Sequence, residues 1–129
     1  MGLDIVTEPK TLDQAKRVRV AQVRKQSARL ALAGFTYNGK TFSLSTNDRN
    51  LILGQQVALA GGALPLPVTW QTLDGLDSET LNTAGEATAF FGAAVTRVSQ
   101  IFQAAIPIFD AIGKTATIAE ALAVQDTRT

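Results

Sequence analysis

The sequence contains neither cysteine nor histidine. Disulfides and thiolate metal sites are therefore excluded. The commonest general base near neutral pH, which is also the commonest metal ligand, is missing too. Charge is sparse: 18% of the 129 residues are Asp, Glu, Lys or Arg, and the net charge is +1. No strong overall field would draw in nucleic acid or an anionic membrane. The eleven acidic residues are scattered, which disfavours a carboxylate-only metal site or acid–base pair. No charge falls between Asn50 and Leu73, but Gln55, Gln56, Gly61-Gly62, Pro65 and Pro67 interrupt that stretch, so no membrane span is expected there. Met1-Gly2-Leu3-Asp4 lacks the basic-then-apolar order of a secretory signal. Val6 stands where a myristoylation motif requires Ser or Thr. A soluble chain made in a cytoplasm is the expectation.

What is present is an ordinary globular composition, 46% hydrophobic, at a length that suits one domain. The most informative stretch is residues 33–42, Ala-Gly-Phe-Thr-Tyr-Asn-Gly-Lys-Thr-Phe. Gly34 can adopt the left-handed conformation that closes a helix. Asn38-Gly39 suits a type I′ turn, whose two central residues both need positive φ. That turn sets Phe35 opposite Phe42 and Tyr37 opposite Lys40. Phe35, Tyr37, Phe42 and Leu44 then share one face, and Thr36, Thr41 and Ser43 the other.

Helices are expected on both sides. Thr11-Leu12-Asp13-Gln14 reads as a capping box opening a helix over residues 11–33. Its apolar seam is thin, with Val20, Val23 and Leu30 on one side and Ala15, Val18 and Leu32 on another. Such a helix needs a neighbour or a partner chain. A second helix starts at Ser45 or Thr46, with Asp48 in its favourable first turn, and stops at Gly61-Gly62. Leu64-Pro65-Leu66-Pro67 must be extended. Val68 to Leu73 is a strand with Trp70 on its inner face, Asp74-Gly75 a turn, and Leu76 to Leu81 a return strand. Because a lone hairpin is barely stable, the Trp70 strand is expected to join the first hairpin. Thr83-Ala84-Gly85-Glu86 caps a long helix over residues 87–112. There Ala87, Phe91, Ala94, Val98, Ile101, Ala105, Ile108 and Ile112 form a heptad-like stripe, widened by Phe90, Val95, Phe102, Ile106 and Phe109. Pro107 must kink or restart this helix. Thr117-Ile118-Ala119-Glu120 caps a last short helix.

Candidate chemistry is thin. Lys16, Arg17, Arg19, Arg24, Lys25 and Arg29 spread round most of the first helix, whereas a nucleic-acid reader would gather them on one face. Asp74, Asp77 and Glu79 supply too few oxygens for a calcium loop. Ser78 and Ser99 with Lys40 or Lys114 share no nucleophile motif. Gly113-Lys114-Thr115 resembles the end of a P-loop, but Ile108 stands where the loop needs glycine. Arg97 in the long helix favours packing against protein over lipid. Trp70 is better explained as core than as a ligand platform.

The order of these signals resembles a small domain family of tailed bacteriophages, found in tail-fibre, tail-fibre-assembly and other tail-associated proteins and without assigned chemistry. The matching pieces are the basic helix at residues 24–33, the Gly34-Phe35-Thr36-Tyr37-Asn38-Gly39-Lys40-Thr41-Phe42 hairpin, and Asn50-Leu51-Ile52-Leu53-Gly54. They continue with Val68-Thr69-Trp70, Asp74-Gly75, Leu81, and Thr117-Ile118-Ala119-Glu120-Ala121-Leu122. Two features depart from the family: extra residues follow Asp74-Gly75, and the long helix lacks a histidine.

The fold expected is α+β: a small antiparallel sheet of three to four strands packed against a long C-terminal helix, with a long N-terminal helix. Residues 1–10 are expected as an extended arm, 11–124 as a single domain and 125–129 as a polar tail. The core is expected from Phe35, Phe42, Trp70, Phe91, Val98, Ile101 and Phe102. Val20, Val23, Arg24 and Leu30 are expected to face a partner. The resemblance implies a structural component of a phage tail, fibre or baseplate-associated, located in the virion and made in the host bacterial cytoplasm. Its partners would be other tail proteins and copies of itself, with no catalysis, cofactor, metal, nucleic acid, membrane or small-molecule substrate. The alternatives are a tail-fibre assembly chaperone not retained in the virion, and a nucleic-acid binder acting through the basic helix.

Overall fold

The computed structural model describes residues 9–129, so most of the expected arm lies outside the described residues. The chain is α+β: the described residues form five helices and four strands in the order α1 (Leu12–Leu32), β1 (Phe35–Tyr37), β2 (Lys40–Phe42), α2 (Thr46–Ala60), β3 (Val68–Gln71), β4 (Ser78–Leu81), α3 (Ala84–Gln103), α4 (Ala105–Gly113) and α5 (Ile118–Ala123). It falls into two compact units. One comprises Leu30–Gln100; the other takes the described residues up to Arg29 together with Ile101–Thr129.

In the Leu30–Gln100 unit, local chemistry sets each element. Gly34 sits at φ +83° just after α1, and a Cβ there would overlap the carbonyl oxygen of Phe42, so glycine is required twice over. Asn38 and Gly39 both have positive φ, as a type I′ turn demands. The register is Phe35 to Phe42, Thr36 to Thr41 and Tyr37 to Lys40. Ser45 caps α2, its Oγ accepting from the Asp48 N–H at 3.3 Å. At the other end Gly62, in the left-handed conformation, and Ala63 return N–H bonds to Leu59 and Ala58, which halts the helix.

The four strands form two separate two-stranded antiparallel sheets, β1–β2 and β3–β4, and not a single sheet. The first hairpin has only three residues per strand. One backbone bond joins them, from the Leu73 N–H to the Thr41 carbonyl at 2.9 Å. What unites them is a ring. Phe90, fully buried on α3, lies 5.0–5.3 Å from the rings of Phe35, Tyr37, Phe42 and Trp70 and 5.8 Å from Phe91. Edge-to-face pairs of this kind add about 0.5–1.5 kcal/mol each beyond area burial. Leu44, Ile52, Leu81, Ala87 and Ala94 complete the core. The Trp70 indole N–H donates to Gln55 Oε1 at 3.2 Å, satisfying its one polar atom.

The restart expected of Pro107 is present: α3 ends at Gln103, and α4 restarts after Ala104. Pro107 then occupies the first turn of α4, where a missing N–H removes no intrahelical bond. Two expected core residues need correcting. Phe102 is not core; it is 39% exposed. Val98 is half-buried at the edge, whereas Phe35, Phe42, Trp70, Phe91 and Ile101 are buried as expected.

In the other unit, α1 packs through Val23 against Ala105 and Ile112 of α4, with Val20, Ile108, Phe109 and Val124 partly buried beside them. Thr117 and Glu120 form a reciprocal capping box on α5.

The Phe90→Ala variant is expected to lose about 3–5 kcal/mol in urea unfolding, and Phe102→Ala about 1 kcal/mol or less. Equal losses would show that Phe90 is not the centre of the core.

Candidate functional site

Two polar constellations stand out, one in each unit. In the Leu30–Gln100 unit, the turn of the first hairpin grips the second. Glu79 of β4 accepts from Asn38 Nδ2 at 3.0 Å through Oε2 and from Lys40 Nζ at 3.0 Å through Oε1. Lys40 also donates to the Ser78 carbonyl at 2.7 Å and lies 3.7 Å from Asp77. The Lys40 hydrogen bond, then that of Asn38, hold the Glu79 carboxyl below its ordinary value. The Glu79 bond likewise raises Lys40 above its own. A carboxylate held ionised in this way is poorly matched to proton transfer near neutrality. The cluster is a tie between hairpins.

In the other unit, residues 125–129 lack regular secondary structure, yet Arg128 is fixed in place. Its side chain is 5% exposed, and all five guanidinium N–H donors are used. Nε and one Nη2 hydrogen grip Asp126 at 2.8 and 2.6 Å; the other Nη2 hydrogen reaches the Val23 carbonyl at 2.8 Å. The two Nη1 hydrogens reach Ser27 Oγ at 2.6 Å and the Ile101 carbonyl at 3.0 Å. The Arg128 side chain, bonded to both Asp126 oxygens, holds that carboxyl below the usual range. Arg19 adds a bond from Nε to the Val124 carbonyl at 2.8 Å, and Lys16 caps the end of α4 through the Gly113 carbonyl at 2.9 Å.

The residues expected to face a partner do not form a free face. Val23 is fully buried within its own unit, and Val20 and Leu30 are partly buried, because α1 already has neighbours in this chain. Arg24 is exposed, with its guanidinium carbon 5.9 Å from the Phe109 ring centre. The helix-one cations are dispersed among local ties: Arg17 pairs with Asp13, and Arg29 bonds Gln26. Lys40 meets Ser78 through the Ser78 backbone carbonyl, at 2.7 Å, and not through a hydroxyl bond of the kind a nucleophile and its base would share. Among those residues no group of three or more Asp or Glu could hold a metal ion, and no helix is long and apolar enough to cross a membrane.

The apolar surface lies elsewhere. On α2, Leu53 and Val57 are 59% and 65% exposed, and Leu51 is half exposed. Leu53 lines an open groove of about 140 Å³ together with Leu44, Ile52, Ala94, Val95 and Val98, with Arg49 and Gln56 at its α2 side. The uncharged run from Asn50 was the only sequence signal of this face. These features define an α+β protein with one unit held by aromatic rings and the other by a buried polar tie. Over residues 13–127 the chain matches the family described as Domain of unknown function (DUF4376), and it belongs to that family. No curated protein and no solved structure matches it.

Replacing Arg128 with Ala strands the Asp126 carboxylate and two carbonyls; the expected loss is about 3–5 kcal/mol by chemical denaturation. Arg128→Lys recovers only part, since an ammonium has three donors and no planar fork. A near-neutral Arg128→Ala result would make the contact incidental.

Acid dependence follows from the depressed carboxyls, among which Asp126 and Glu79 anchor the two ties. Their stabilisation is complete above the unfolded values of 3.8 for Asp126 and 4.5 for Glu79, and is lost as pH falls through the lower folded values. Melting profiles of wild type should therefore drop below these values, while Asp126→Asn, weaker at neutral pH, drops less steeply. Parallel profiles would rule Asp126 out as a source.

Proposed function

We propose that this chain is a structural component of a bacteriophage tail, fibre or baseplate-associated, and that it acts by packing against other tail proteins. The phage assignment rests on the resemblance carried by the Gly34–Phe42 hairpin and the Val68-Thr69-Trp70 strand. The packing role rests on one observation: Leu53 and Val57, one turn apart on α2, stand exposed, and Leu53 lines a groove shared with the exposed Val95 of α3. A contiguous apolar patch on a folded surface is a contact face, since each side chain there gains about 1.5–3 kcal/mol when a partner covers it. The occupant is a neighbouring tail protein with an apolar face of matching shape. The polar ties support the same role, because they fix the scaffold and hold their ionisable groups away from proton transfer.

Mass spectrometry of purified virions is expected to find the chain at stoichiometric copy number. Leu53→Asp with Val57→Asp should melt like wild type yet be missing from particles. A chain absent from virions but needed for fibre maturation would be an assembly chaperone; a doubly substituted chain incorporated normally would rule out the α2 face.

A further inference from the structure

We propose that copies of this chain associate head to tail, the β3–β4 turn of one copy seating in a cationic groove on α1 of the next. This association stands independently of the phage assignment.

The groove is an open depression of about 420 Å³ along α1, lined by Lys16, Arg17, Val20, Ala21 and Arg24. Val20 and Ala21 give it an apolar floor, and three cations ring it. These cations are available to an anion. Arg17 is held by an exposed, solvent-screened pair with Asp13, which a second carboxylate can replace. Lys16 bonds a neutral carbonyl, that of Gly113, and Arg24 rests near an aromatic ring. Among the described residues no carboxylate pairs with Lys16 or Arg24.

The turn offers the complementary shape. Leu76 is 88% exposed, the most exposed large hydrophobic among the described residues, and Leu73 is exposed beside it. Asp74 and Asp77 flank Leu76, both exposed. The turn is rigid. Asp74 Oδ1 accepts from the Thr72 hydroxyl at 2.7 Å and the Leu76 N–H at 2.9 Å, and the Thr72 N–H bonds the Asp77 carbonyl at 3.0 Å. The Thr72 hydroxyl bond to Asp74, second only to that of the Leu76 N–H, helps hold this carboxyl in its charged form. An apolar side chain held between two carboxylates thus matches an apolar floor held between cations. A pre-organised tip loses little freedom on docking. Opposite charge sets its orientation and rate of encounter.

The occupant is a second copy because the chain carries both halves of the contact. Such a contact is heterologous: it closes into a ring if the rotation permits, and otherwise extends as a filament.

The test uses the full chain in solution. Sedimentation of wild type should show a mass that rises with protein concentration and falls with added salt. A groove variant, Arg17→Glu with Ala21→Glu, and a tip variant, Leu76→Ser with Asp77→Asn, should each weaken association at least about tenfold. Mixed together, they should form a one-to-one dimer, because the intact tip of one fits the intact groove of the other. All substituted positions are exposed, and melting curves confirm folding; Leu76→Ser alone serves if a double variant fails to fold. A wild type that stays monomeric at its solubility limit overturns the proposal. So do variants that associate like wild type, or a mixture that forms no dimer.

Discussion

The Leu30–Gln100 unit depends on one ring. Phe90 touches five other aromatic side chains: Phe35, Tyr37 and Phe42 from the first sheet, Trp70 from β3, and Phe91 from its own helix. Two hairpins this short cannot support each other through backbone pairing, since isolated hairpins are marginal in water. They share a single ladder-like bond, from Leu73 to Thr41. Packing both against the same buried ring replaces the missing ladder. The Glu79 tie to Asn38 and Lys40 then sets how the outer ends of the hairpins meet.

The other unit has a poorer apolar core and relies on a polar anchor. Its buried hydrophobic cluster is Val23, Ala105 and Ile112. Three such side chains define a contact but not a unique register, because apolar contact is non-directional. Arg128 supplies direction. A guanidinium with five donors in a fixed plane fits one arrangement of acceptors, here a carboxylate, a hydroxyl and two carbonyls. Buried, such a network is costly if any member is left unpaired, which narrows the set of alternative packings.

Local signals in the sequence were strong where a residue's own conformation decides. Gly34, Asn38-Gly39, Ser45, Gly61-Gly62, Thr83 and Thr117 each marked an element end that the structure contains. Signals from periodicity were weaker, because they do not say what covers a face. The stripe over residues 87–112 ran on past Ala104, although Pro107 makes a fresh helix start the lower-energy solution. Phe90 and Phe102 looked equivalent on that stripe, yet Phe90 is fully buried among the rings of both hairpins and Phe102 is 39% exposed. The inward line of α1 includes Ala15, Val23, Ser27 and Ala31, four residues apart or multiples of four. Two alanines and a serine make no apolar pattern, so the seam looked thin and the helix looked unpartnered. The meaning of Ser27 resides in Arg128, about a hundred residues away, and no local rule joins them.

Where the polar groups go also constrains what this molecule can do. Glu79, Lys40, Asp126 and Arg128 are engaged in internal ties, and the shifts of Glu79, Lys40 and Asp126 all favour the charged form. Proton-transfer catalysis needs the opposite: a group poised between its two forms near the working pH. The ionisable groups fixed most firmly by the fold are thus the least suited to acid–base chemistry. The apolar groups left uncovered, by contrast, sit on regular or rigid elements: Leu53 and Val57 on α2, and Leu76 on a turn held by three hydrogen bonds. Rigid apolar surface is what association rewards, because burying it releases water without ordering the chain again. The proposed contacts therefore rest on apolar side chains whose backbone the internal hydrogen bonds already hold in place.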